Sequence, residues 1–85
     1  MKQVKFLSYL KNMTGISTYH LQSNPDTVAE ALIEIAKAFP QISKLIMDDV
    51  PEVSFILGEK LLITPKELSL PLNDELIIGP IIGGG

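Results

Sequence analysis

Between Thr27 and Pro40 the chain reads TVAEALIEIAKAFP, and this one amphipathic segment constrains the fold more than any other. Thr27 and Glu30 stand at capping-box spacing, in which the hydroxyl satisfies the amide of the third helical residue and the carboxylate reaches back to the cap amide. Val28, Leu32, Ile35 and Phe39 then fall on one helical stripe, Ala29, Ile33 and Ala36 widen it, and Glu30, Glu34 and Lys37 lie outside it. Pro40 ends the helix. A helix with so wide an apolar stripe must lie across another apolar layer, and the flanking sequence supplies strands to form one.

Residues 2–10, KQVKFLSYL, alternate, with Val4, Phe6, Ser8 and Leu10 on one side and Lys5, Leu7 and Tyr9 on the other. This predicts a first strand. KNMTG carries turn chemistry at Asn12 and Gly15, and ISTYHLQ, rich in β-branched and aromatic residues, predicts a second strand that completes an N-terminal hairpin. After the helix, QISKLIMDDV reads as a short helical turn or compact loop. VSFIL is a strand bounded by Pro51 and Gly58, GEK turns into LLIT, and PKELSLPLND is a loop with a short edge segment at most. ELII is the final strand. A hairpin, a crossover helix and further strands around one core imply an α+β fold: a mixed sheet of four or five strands with one main helix on one face, the β-grasp order. Residues 1–79 form that domain, and 80–85 are expected to be a flexible glycine-rich tail.

Composition excludes several classes. Eighty-five residues with 46% hydrophobic content make one domain with one core. There is no cysteine, hence no disulfide, thiolate metal site or cysteine nucleophile. All seven basic residues are lysine, set against ten acidic ones. Without arginine the chain lacks the bidentate fork used on phosphate and guanine, which argues against nucleic acid as a partner. No apolar run approaches a membrane span and the N-terminus has no signal-peptide pattern, so a cytoplasmic location is expected. Asp48, Asp49 and Glu52 lack calcium-loop spacing and read as a solvated acidic loop. His20 has no second histidine or cysteine to work with and reads as a strand residue, while Met13 and Met47 are expected to fill core gaps. Nothing assembles a nucleophile, a base and an oxyanion hole, so no enzyme, no bound cofactor and no metal site are expected.

The chain closes on GPIIGGG, directly after the last strand. Glycine loses the most backbone entropy on ordering, so three in a row serve either as a spacer or as a substrate. A partner enzyme that activates a C-terminal carboxylate must bring it through a narrow channel to the α-phosphate of ATP, where only glycine passes without Cβ clashes. On that reading Gly84 and Gly85 are the reactive and threading residues and Gly83 extends their reach. The site of activation or cleavage is then Gly83, Gly84 and Gly85, while Ile78, Pro80, Ile81 and Ile82 contact the partner. An extended segment of this kind can also add a strand to a sheet edge.

KFLSYLKNMTG, the helix TVAEALIEIAKAFP and NDELIIGPIIGGG together resemble the ubiquitin-like β-grasp superfamily, which includes the small sulfur carriers of molybdopterin and thiamine biosynthesis. The Phe39-Pro40 helix end, the Glu-Leu-x-Leu-Pro from Glu67 to Pro71 and the Ile-Ile-x-Pro-Ile-Ile-Gly from Ile77 to Gly83 look like the N-terminal ubiquitin-like domain of the tail assembly protein I family of lambda-type bacteriophages. That resemblance implies a non-catalytic phage tail-tip assembly role, docking on other tail proteins through the sheet and the C-terminal segment, in the host cytoplasm and the virion tail. The carrier resemblance implies instead a sulfur carrier or protein modifier, adenylated at its Gly-Gly end by an activating enzyme that uses ATP, with a protease as another partner acting on the glycine-rich segment. A plain interaction module is the third reading.

Overall fold

The computed structural model describes residues 2–47, 53–62, 69–73 and 75–80. Strand β1 spans Gln3–Phe6, helix α1 Tyr9–Thr14, strand β2 Thr18–His20 and helix α2 Val28–Ala38. A 3-10 turn at Pro40–Ile42 leads into helix α3, Ser43–Met47, and strands β3 (Val53–Leu57), β4 (Lys60–Leu62) and β5 (Leu76–Pro80) come after it. They form one five-stranded sheet in the order β2-β1-β5-β3-β4. β1 and β5 pair in parallel and every other pair is antiparallel. The mixed sheet with its principal helix is the architecture expected from the sequence.

Helix α2 forms where its signals placed it. The Thr27 Oγ1 accepts from the Glu30 N–H at 3.2 Å, and the hydroxyl donates to the Glu30 carboxylate at 3.1 Å. The carboxylate thus reaches the cap's hydroxyl and not its amide as expected. Val28, Leu32 and Ile35 are buried and Phe39 is half-buried. Two stripe assignments need correction: Ala31 is fully buried, whereas Ile33 is 45% exposed. The helix sits deeper along its Ala31 edge than a symmetric stripe implies, because small alanine permits closer approach there. Phe39 meets Phe6 and Tyr19 edge-to-face at centroid distances of 5.6 and 5.4 Å, joining the end of α2 to β1 and β2. Against the start of α2, the Val28 N–H donates to Leu70 O and the Leu72 N–H to Asp26 O, so the 69–73 segment is stitched to the helix and Leu72 is buried.

The first strand is shorter than expected. It ends at Phe6, and Tyr9–Thr14 coil into α1, which returns Leu10 to the core. Gly15 closes α1 at φ 80°, with its N–H donating to Lys11 O at 2.9 Å. Ser8, at the junction, has φ 57° and ψ −134°, a region that costs a non-glycine residue about 1–3 kcal/mol. Ser8→Gly is therefore expected to stabilise the domain by roughly 0.5–1 kcal/mol, less than the full strain because glycine gains freedom in the unfolded chain. Chemical denaturation checks this, and a destabilised variant would mean that contacts of the Ser8 side chain outweigh the strain. Met13 and Met47 are 38% and 50% exposed and so do not fill core gaps. Each sits on the outward side of a short helix whose inward side is taken by Leu10 or Ile46. Asp48, Asp49 and Glu52 lie outside the described residues.

Candidate functional site

The geometry of interest lies around the end of β5. This central strand has β1 on one side, where Phe6 is in register with Ile78, and β3 on the other, where Val53 faces Pro80. β5 runs through Pro80, one residue past the boundary expected at 79. The sequence-predicted site residues beyond it, Ile81, Ile82, Gly83, Gly84 and Gly85, lie outside the described residues.

Alternation along the strands sorts side chains by face. Val4, Phe6, Phe55, Leu76 and Ile78 point toward α2 and are buried. Ile78 is 0% exposed, which corrects its assignment to a partner contact: its side chain belongs to the core. Pro80 is half-buried. The opposite face carries a row across the sheet of Thr18, Lys5, Ile77, Ile56 and Leu61. Ile56 and Ile77 are half-buried and Leu61 is 38% exposed, so this row is apolar over three strands with the Lys5 ammonium beside it. The Gln3 amide donates to the Glu75 carboxylate one row away. Near the strand end, the Leu7 N–H donates to Ile78 O at 3.0 Å and the Leu7 side chain lies over Gly79. A Cβ on Gly79 would stand 3.4 Å from Leu7 Cβ and Cδ1, so the close cover by Leu7 relies on glycine there.

Sequence reasoning missed Leu7, Ile56, Leu61 and Ile77 as surface-forming residues. The signal for Ile77 and Ile78 was ambiguous, since two adjacent isoleucines must face opposite ways and only the register tells which one is buried.

Glu34 is the most heavily bonded carboxylate among the described residues. It accepts from the Gln22 N–H at 2.7 Å, the Ser23 N–H at 2.9 Å, the Ser23 hydroxyl at 2.5 Å and the Tyr19 hydroxyl at 2.8 Å. Burial by itself would raise its pKa, but these donors outweigh burial and bring it from the ordinary 4.5 to about 2. Burial and the same carboxylate push the Tyr19 hydroxyl up. Glu34 therefore clamps the segment after β2 onto α2. A surface hollow of about 330 Å³, lined by Ser23, Glu30, Ile33, Glu34 and Lys37, lies beside it. Because the folded pKa is depressed, the clamp's contribution is complete above pH 4.5 and is lost as pH falls toward 2. Glu34→Gln should lower stability by about 1–2 kcal/mol at neutral pH and make the urea midpoint fall less steeply over that acid range. An unchanged acid dependence in the variant would contradict the clamp.

Among the described residues no group of three His, Cys, Asp or Glu side chains is placed to hold a metal ion, and no helix is long and apolar enough to cross a membrane.

No protein-family model matches the chain, and no curated protein sequence matches it. Solved structures do. The crystal structure of small archaeal modifier protein 1 from Haloferax volcanii is 22% identical, with 99% of this chain and 98% of that one covered and a TM-score of 0.72. The solution structure of small archaeal modifier protein 1 from Methanosarcina acetivorans is 19% identical, with 99% and 95% covered and a TM-score of 0.75. A putative molybdopterin converting factor subunit 1 from Pyrococcus furiosus is 16% identical, with 94% and 97% covered and a TM-score of 0.66. At these identities the likeness establishes the fold, which is ubiquitin-like β-grasp. The resemblance to phage tail assembly protein I is not shown by them.

Proposed function

We propose that this chain is a ubiquitin-like modifier or sulfur carrier whose reactive group is the carboxylate of Gly85, used as synthesised or after a protease exposes it. The observation that carries this reading is the fold likeness to modifier and molybdopterin-converting proteins over nearly the whole length of both chains. It favours the carrier and modifier role over tail-tip assembly. The position of β5 agrees with it: the central strand passes out of the sheet at Pro80, and the Gly83, Gly84 and Gly85 segment comes within the next five residues.

The chemistry is divided between two proteins. The Gly85 carboxylate attacks the α-phosphate of ATP held by an activating partner, pyrophosphate leaves, and an acyl adenylate forms. Sulfide, a thiol or an amine then attacks the acyl carbon, and AMP leaves with the electron pair of the broken C–O bond. This chain contributes the carboxylate and a docking surface; the partner contributes ATP, magnesium and the catalytic groups. Leu7, Ile56, Ile77 and Leu61 on the sheet face opposite α2 offer the apolar contact, with Pro80, Ile81 and Ile82 guiding the glycines.

The test is an intact mass of the protein recovered from its native cell, beside the same chain incubated with ATP and an adenylating enzyme from that cell. Replacement of one terminal oxygen by sulfur, or an adduct at Gly85, is the expected result. A chain that stays unmodified with every such enzyme of that cell would leave a docking module in place of a carrier.

A further inference from the structure

Exposed apolar side chains gather where β5 leaves the sheet. Leu7 is 37% exposed, Tyr9 39% and Met13 38%. Leu7 is fixed against the end of β5 through its bond to Ile78 O and its cover of Gly79, and Tyr9 and Met13 stand one turn apart on α1, which packs against β5. A single exposed leucine needs no explanation, but three large apolar groups within seven residues, beside a strand end, form a surface that invites cover.

The occupant is set by the residues after Pro80. The next two are Ile81 and Ile82, and the three after them are glycines with no side chain to compete. An extended chain advances about 3.3 Å per residue, so Ile81, three residues past Ile78, begins within about 10 Å of Leu7. Tethered so closely, the two isoleucines meet this surface at an effective concentration of millimolar order, which no free partner matches easily. Glycine freedom beyond them lets the segment reverse.

We infer that in the isolated protein Ile81 and Ile82 fold back onto Leu7, Tyr9 and Met13, so that a partner gains the glycines only by displacing the chain's own isoleucines. The docked segment covers the apolar end and holds the glycines close to the domain. This goes beyond the carrier reading and is independent of whether an adenylating enzyme accepts Gly85, because it concerns the chain alone.

The test compares the full 1–85 chain with Ile81→Ser/Ile82→Ser by methyl and aromatic NMR in the absence of any partner. Cross-peaks from the Ile81 or Ile82 methyls to the Met13 methyl or the Tyr9 ring are expected, with their loss in the double variant and shifts at Leu7 and Met13 while the α2 amides stay in place. Met13→Glu, which leaves the isoleucines intact, should weaken the same cross-peaks from the other side. Absence of these cross-peaks, their appearance instead at Ile56 and Leu61, or shifts that grow with protein concentration and so report a second copy would each overturn the inference.

Discussion

Replacing Ile35 with alanine is expected to lower the unfolding free energy by about 2–5 kcal/mol, the range for removing a large aliphatic side chain from a closed core. Ile35 has no exposed surface and sits among Leu32, Ile42 and Ile46, with Phe39 donating its amide to the Ile35 carbonyl at 2.8 Å. The neighbouring side chains are themselves branched and packed, so the cavity cannot collapse without moving the helix off the sheet. In a domain whose whole stability is about 5–15 kcal/mol, such a loss leaves a large unfolded fraction on mild heating. Ile33→Ala is the matched control: same helix, same chemistry, but 45% exposed, with an expected change within about 0.5 kcal/mol. Urea unfolding of the two variants decides the matter. Equal effects would mean that the helix is rotated from this orientation.

The other large effect concerns activity. Deleting Gly85 is expected to reduce adenylation by the activating partner at least about 100-fold, since shortening an extended segment draws its carboxylate back by about 3.3 Å and a misplacement of even about 1 Å has that consequence. Gly84→Ala should also impair the reaction, through a Cβ placed in the threading channel. Neither change touches the β5 pairing or the core, so thermal unfolding should be unaffected. Pyrophosphate exchange with the partner present gives the readout. An unaltered rate for the deletion would remove Gly85 from the chemistry, while a loss of rate with a matching loss of fold would point to the domain.

The candidate site was only partly legible. The glycine run and its isoleucines stand out in the sequence because nothing in an ordinary core needs them, and the resemblance to β-grasp carriers gave them a role. The phage-tail resemblance rested on hydrophobic and proline patterns that many β-grasp chains can satisfy, and such patterns specify a fold better than a function. Ile78 was assigned to a partner surface for the same reason: beside Ile77 it is chemically equivalent. Leu7 looked like an ordinary alternating strand residue, and its place over Gly79 depends on a parallel pairing between segments about seventy residues apart.

Periodicity, capping and turn chemistry were local signals, and they determined the element order, the placement of α2 from its Thr27 cap to Phe39, and the β-grasp architecture. Local pattern did not separate a continuing strand from a single helical turn at Tyr9–Thr14, because both return Leu10 to the core side. That choice fell to tertiary packing, as did the exposure of Met13 and Met47, the burial of Ala31 in preference to Ile33, and the conversion of Glu34 from a surface charge to a clamp. Each depends on which neighbour from a distant part of the chain arrives beside the residue. A sequence period states that two sides exist, and only the assembled sheet and helix decide which of them meets water.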